Sequence, residues 1–249
     1  MERLAPRRAP LNWRVSTLAE KRAETPTATT LVLDVPDWPG HLAGQHVDVR
    51  LTAEDGYQAE RSYSIASAPQ NAHLAITVER IEDGEVSPYL TDELHPGDQL
   101  ELRGPIGGYF TWEAADNGSL LLLAGGSGLV PLMAMLRYRA SAMSDAAATV
   151  LVSARSWDDV LYRDELEMLG EHGVAVRYTL TREQPAGWSR WSGRANLEIL
   201  RALGADHAGQ FRVFICGPTG FVEHVADLLV QLGNDPHAIK TERFGPTGG

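Results

Sequence analysis

The sequence predicts two tandem domains, a small antiparallel β-barrel over residues 12–112 and a parallel-sheet α/β domain over 118–249. Three observations predict this. Up to about residue 112 short alternating runs are split by turn residues, with almost no helical period. Beyond about residue 119 each apolar run is followed by a helix-period segment. Between the two lies a polar stretch around 113–119 that reads as a boundary.

In the first half, LVLDV (31–35), HVDVRL (46–51), RSYSIA (61–66), LAITVER (74–80) and DQLELRG (98–104) fit the strand template. Pro36, Pro39-Gly40, Asp55-Gly56, Pro69-Gln70-Asn71, Asp83-Gly84 and Pro96-Gly97-Asp98 separate them. Closely spaced strands without helices suggest a barrel. In the second half, LLLLAG (120–125), TVLVSA (149–154), VAVRYTL (174–180) and FRVFIC (211–216) are near-continuous apolar strands. The segments between them have helical period, as expected for a sheet covered on both faces.

The chain of 249 residues carries a net charge of −11, which argues against nucleic acid as a main partner. No apolar run approaches the roughly 20 residues that span a bilayer, and MERLAPRRAPLNWR lacks the apolar core of a signal peptide, so a cytoplasmic protein is expected. Arg3, Arg7, Arg8 and Arg14 cluster against Glu2 alone, as a solvated tail or a seat for an acidic partner. One cysteine, Cys216, excludes a disulfide framework or a four-cysteine cluster in this chain. The eight histidines show no metal-type spacing, and no metal is expected.

GGSGLVP (125–131) stands between the first buried strand and its helix. Gly125, Gly126, Ser127 and Gly128 let the backbone turn sharply and approach a ligand, and the helix start beyond offers N–H groups to an anion. Pro131 stands where the dinucleotide fingerprint has its last glycine, so the motif departs from that pattern. The second strand ends in Ser153-Ala154-Arg155 and the third in Thr181-Arg182, with no acid at the second strand's tip to take a ribose hydroxyl. Arginine forks suit a 2′-phosphate, which favours NADPH over NADH.

The ordered set RSYSIAS (61–67), GEVSPYL (84–90), GPIGGYF (104–110), GGSGLVP, TREQP (181–185), CGP (216–218) and ERFGP (242–246) resembles the ferredoxin–NADP reductase superfamily over nearly the whole chain. The resemblance implies an N-terminal Greek-key barrel holding FAD and a C-terminal domain holding the nicotinamide nucleotide. It further implies that Arg61 pairs with the flavin pyrophosphate, that Tyr63 packs on the cofactor, and that Ser64, beside Ser62, bonds near flavin N5. Val78 and Arg80 would flank the ring through their backbone. Gly84, Val86 and Ser87 would supply further phosphate contacts. Cys216, Gly217 and Pro218 would lie beside the nicotinamide, Glu242 would be the polar partner of Ser64 and Cys216, and Phe244 would shield the flavin. Five residues follow Phe244, unlike branches that end on the aromatic. TREQP resembles a 2′-phosphate grip, with Arg190 and Arg194 as further candidates.

The function so implied is hydride transfer from NADPH, or NADH, to FAD, with electrons leaving to a separate acceptor such as a ferredoxin or an oxygenase or haem component. With no cysteines for an iron–sulfur cluster and no spare length, that acceptor is expected to be another molecule. The alternatives are a free-flavin or ferric reductase, against which GEVSP argues, and a non-catalytic electron-relay subunit of a larger complex.

Overall fold

The computed structural model describes residues 11–116, 118–207 and 209–245. Arg3, Arg7, Arg8 and Pro246 lie outside the described residues.

Strands β1 (Trp13–Thr25), β2 (Ala28–Asp34), β3 (His46–Thr52), β4 (Gln58–Ser64), β5 (Leu74–Glu79) and β6 (Gln99–Ile106) form one antiparallel sheet in the order β4-β3-β6-β1-β2-β5. β6 returns to lie between β1 and β3, a Greek-key connection. Just past β4 the chain closes the sheet into a barrel. Ile65 bridges Ile76, and the Ala66 N–H donates to the Ala75 carbonyl at 2.7 Å. Leu31, Leu33, Val49, Ile76 and Leu102 fill the interior and are fully buried. A single π-helical turn, Tyr89–Glu93, contributes Leu90 to the same core.

β1 was not among the runs that fit the strand template. Only Ser16 and Leu18 of its thirteen residues are buried. Its charged second half forms a ribbon with β2, held by backbone pairing and by contacts such as Lys21 Nζ to the Leu94 carbonyl at 2.9 Å. A strand with so little inward face has no hydrophobic alternation to read.

The second half contains β7 (Ser119–Gly125), α1 (Leu129–Ser141), β8 (Ala148–Ala154), α2 (Arg163–Glu171), β9 (Val174–Leu180), β10 (Trp191–Ser192), α3 (Leu197–Ala202), β11 (Phe211–Pro218), α4 (Thr219–Gln231) and β12 (Ile239–Phe244). The strands are parallel, in the order β10-β9-β8-β7-β11-β12. The leucine run of β7 is now explained. Leu120 and Leu122 pack with α1 and α2, and Leu121 and Leu123 with α3 and α4. β12, read from sequence only as a tail motif, is an edge strand whose sole buried residue is Ile239.

Every residue of α1 from Leu129 to Leu136 is buried. The helix has no polar face there because it lies between the parallel sheet and the barrel, whose Ala66, Phe110 and Trp112 join the same core. Polar contacts reinforce this seam. Arg137 donates to Glu165 at 2.7 and 2.5 Å and to the Ala66 carbonyl at 2.6 Å. The Tyr162 hydroxyl meets that of Thr77, and burial pushes its pKa up to about 12.

Candidate functional site

In the parallel sheet, β7 leads to α1 on one face and β11 to α4 on the other, so the strand order reverses between them. In open α/β sheets ligands collect at such a point, outside the carboxyl ends of the strands. The two tips are in close approach here. A Cβ on Gly217 would stand 3.1 Å from the Gly125 Cα, and one on either glycine would enter the Phe221 ring, at 2.7 and 2.8 Å. A Cβ on Gly128 would stand 2.1 Å from the Cys216 carbonyl oxygen. The glycines of GGSG and CGP therefore allow two backbone turns to nest. Phe221, on α4, was missed in the sequence because its role depends on that nesting.

A cleft of about 650 Å³ opens over these tips. Thr27, Glu79 and Arg80 of the barrel form one wall, and Gly125, Gly126, Ser127, Pro218 and Phe244 lie across it. The Ser127 hydroxyl donates to Glu79 Oε2 at 2.7 Å, a bond that crosses between the two halves. Arg80 is held by Asp92 at 2.9 Å.

The far end of the cleft is lined by Arg155, Thr181, Arg182 and Arg194. None of these arginines has an ion pair or side-chain hydrogen bond among the described residues. Backbone bonds bring them together: the Arg182 and Glu183 N–H groups both donate to the Arg155 carbonyl, at 2.9 and 3.0 Å. The Thr181 hydroxyl donates to the Ala154 carbonyl at 3.1 Å. Arg190, expected at the nucleotide, is instead outside the cleft lining. Its guanidinium lies 4.8 Å from the Tyr178 ring centroid and 5.6 Å from those of Trp157 and Trp188. Three aromatic faces outcompete an exposed cleft for this planar cation. Arg194, the other candidate of that segment, lines the cleft.

On β4, side chains alternate in direction. Tyr63 packs against the barrel core, and burial raises its pKa to about 12. Arg61, on the same side of the strand, pairs with Glu85 at 3.3 Å, and Glu85 also accepts from the Tyr57 hydroxyl at 3.1 Å. Ser62 faces the other way and donates to Asp48 Oδ1 at 2.6 Å. It is thereby committed to Asp48 of β3. Ser64 has no side-chain hydrogen bond among the described residues. In the loop after β5, Val86 and Ser87 are buried, and the Ser87 Oγ accepts from the Ile81 N–H at 3.0 Å. A Cβ on Gly84 would come within 3.0 Å of both Ile81 O and Ser87 Oγ, so the loop closes tightly only with glycine there. Val78 is fully buried in the barrel core at the end of β5.

β12 sets the last group in place. Glu242 pairs in register with Cys216, and Phe244 with Pro218. Cys216 is 1% exposed, and its thiol pKa is pushed well up by burial and then by the Glu242 charge. That disfavours a thiolate. Burial raises the Glu242 carboxyl from 4.5 to about 7. Since this folded value exceeds the unfolded one, the stability from a neutral Glu242 is complete below about pH 4.5 and lost as pH rises through about 7. At about 1.4 kcal/mol per pH unit, the effect is at most about 3.5 kcal/mol. The Glu242→Gln variant is expected to gain about 5–10 °C in melting temperature over wild type at pH 8. The two should coincide at pH 4.5, and a gap that does not vary with pH would overturn the assignment.

Residues 16–111 match the oxidoreductase FAD-binding domain and residues 122–227 the oxidoreductase NAD-binding domain. Ferredoxin–NADP reductase B of Sorangium cellulosum is 36% identical over 211 residues, 81% of this chain and 84% of that protein. The glycine betaine monooxygenase reductase subunit of Pseudomonas aeruginosa is 33% identical over 214 residues, 82% of this chain and 56% of that protein. This chain thus spans little more than half of some curated relatives. The flavohem-like FAD/NAD binding domain of nitric oxide dioxygenase from Vibrio cholerae superposes with a TM-score of 0.83 at 26% identity, covering 94% of this chain and 99% of that one. With an FAD-binding barrel, an NAD-binding α/β half and a shared cleft between them, the chain belongs to the ferredoxin–NADP reductase superfamily.

Proposed function

We propose that the chain is an NAD(P)H-dependent flavin oxidoreductase acting in the cytoplasm, with NADPH preferred over NADH. Residues 12–112 hold FAD, residues 118–249 bind the nucleotide, and electrons leave to a separate redox protein such as a ferredoxin or an oxygenase or haem component. One observation carries the reading: the barrel's β5 end and the switch point of the parallel sheet share a single cleft, also lined by three arginines without an ion-pair partner among the described residues. No helix among the described residues is long and apolar enough to cross a membrane.

The residues present fit FAD. Arg61 has only exposed partners to give up, Glu85 and the Glu60 carbonyl, and Gly84 sits where a Cβ would be tightly placed, 3.0 Å from Ile81 O and Ser87 Oγ. The buried Ser87 hydroxyl has no described acceptor for its own proton. When bound, FAD takes up a hydride from the reduced nicotinamide and supplies electrons singly to the acceptor. Arg61, with Val86 N–H and Ser87, holds the pyrophosphate. Tyr63 supplies an aromatic wall, Ser64 offers its uncommitted hydroxyl near flavin N5, and Phe244 excludes water. Gly125 and Gly126 line the cleft, with open space beside Gly126 for the nucleotide. Gly128 and Gly217 let the two turns nest beneath it, and Cys216 and Glu242, paired two residues before Pro218 and Phe244, would back the nicotinamide end.

Anaerobic mixing with NADPH should bleach the flavin absorbance, faster than NADH at equal low concentration. A yellow protein that neither nucleotide bleaches would end the proposal. Losing one charge-assisted phosphate contact costs about 1.5–3 kcal/mol. Arg182→Ala should therefore raise the KM for NADPH at least about tenfold and that for NADH less than about twofold. Equal increases would remove the phosphate role.

A further inference from the structure

We propose that the stack of Trp157, Tyr178, Trp188 and Arg190 is a positioning device. By pinning the two loops that carry Arg155, Arg182 and Arg194, it lets the cleft select a nucleotide with a 2′-phosphate. This rests on the 2′-phosphate reading of the cleft.

Trp157 belongs to the loop after β8, which begins at Arg155, whereas Trp188 and Arg190 belong to the loop after β9, which begins at Thr181, runs into the two-residue strand β10 and is followed by Arg194. The two loops meet in the stack. Trp157 and Trp188 have ring centroids 5.6 Å apart, and Trp157 stands edge-on to Tyr178 of β9 at 5.2 Å. Arg190 lies against all three rings.

The second loop is tethered to the sheet mainly at its ends. At the start, Arg182 and Glu183 bond the Arg155 carbonyl. At the finish, the Gly193 N–H donates to the Leu180 carbonyl and the Thr179 hydroxyl to the Gly193 carbonyl, each at 2.8 Å. Its middle folds on itself, with Trp188 N–H to the Pro185 carbonyl and Trp188 Nε1 to the Trp191 carbonyl, both at 3.0 Å. The indole and guanidinium fix this turn to the neighbouring loop.

Three guanidinium groups lining one cleft, with no ion-pair partner among the described residues, repel each other, so they need a scaffold to hold them before an anion arrives. An acidic scaffold would compete with the ligand for the same arginines. The stack avoids that competition, because aromatic faces hold Arg190 without a carboxylate. Lysine is a poor substitute here, since only a planar fork can lie against several rings.

The test uses calorimetric titration of the FAD-loaded protein with 2′,5′-ADP and 5′-AMP as probes. Arg190→Ala and Trp188→Ala should each weaken 2′,5′-ADP at least about fivefold, a loss on the scale of the stacking contacts removed. Binding of 5′-AMP should shift by less than about twofold. Trp188→Phe should restore most of the 2′,5′-ADP affinity, and Arg190→Lys should not. Arg190→Ala that binds 2′,5′-ADP like wild type overturns the proposal, as does an equal loss of both probes. The underlying reading fails separately, if wild type itself binds the two probes alike.

Discussion

Replacement of Arg61 by alanine is expected to cost the protein its flavin, with FAD binding weakened about 10- to 100-fold. A charge-assisted hydrogen bond to an anion contributes about 1.5–3 kcal/mol, and each 1.4 kcal/mol is a factor of ten. The partners that Arg61 has in the structure, the Glu60 carbonyl at 2.7 Å and Glu85 at 3.3 Å, do not prevent this role. Both side chains of the Arg61–Glu85 pair are 54% exposed, and such pairs are worth about 0–1 kcal/mol, so a doubly charged pyrophosphate displaces Glu85 readily. The same geometry supplies a control of opposite sign. Glu85→Gln removes a competitor for the guanidinium and a repulsive charge, and should slow FAD release a few-fold. Release is followed by the rise in flavin fluorescence on dilution of the yellow protein. Riboflavin, which lacks phosphates, separates contact from collapse: its affinity should be unchanged in Arg61→Ala. Riboflavin weakened as much as FAD would show that Arg61 supports the barrel rather than the phosphates.

The two-part architecture was legible because each half has its own period, alternation in the barrel and continuous apolar strands with helices after it. Arg61, Gly84 and Ser87 were picked out by motif resemblance, and the GGSG turn by glycines set between an apolar strand and a helix. What was hidden depends on pairings across sequence. β1 has too little inward face to alternate, and its charged half is held by β2 and by the Leu94 carbonyl. Arg190 and Arg194 look equivalent in GWSRWSGR, and only the fold shows that one meets three rings and the other the cleft. Glu242 beside Cys216, which the motif resemblance implied, comes about through the parallel register of β11 and β12, and the hidden part is the burial that lifts the carboxyl. Gly44 gave no signal either. Its φ is 101°, and a Cβ would stand 2.0 Å from the Phe110 carbonyl oxygen, where the barrel meets the segment leading to β7.

The same kind of contact makes Gly128→Ala the most damaging single methyl expected in the α/β half. Gly128 has φ of −60°, an ordinary value for alanine, so backbone preference is not the obstacle. Space is. The added carbon would stand 2.1 Å from the Cys216 oxygen, 2.3 Å from its carbonyl carbon and 2.6 Å from the Gly217 nitrogen. All three are backbone atoms of a central strand and cannot rotate away as a side chain could. Overpacking usually costs about 1–3 kcal/mol, and a rigid backbone obstacle puts this case at the upper end or beyond. For a chain of this size that lowers the melting temperature by about 6–12 °C. Relief requires the GGSG turn to part from the CGP turn, which would also widen the site where the nucleotide binds, so NADPH affinity should fall with stability. Gly126→Ala is the matched comparison. Gly126 has φ of +55° with nothing within 4 Å of the added carbon, so it should lose only the roughly 1–2 kcal/mol of a left-handed conformation. Circular dichroism melts of the two variants decide between space and conformation. If Gly126→Ala proves the less stable, the nesting of the two turns is not what holds the tips of β7 and β11 together.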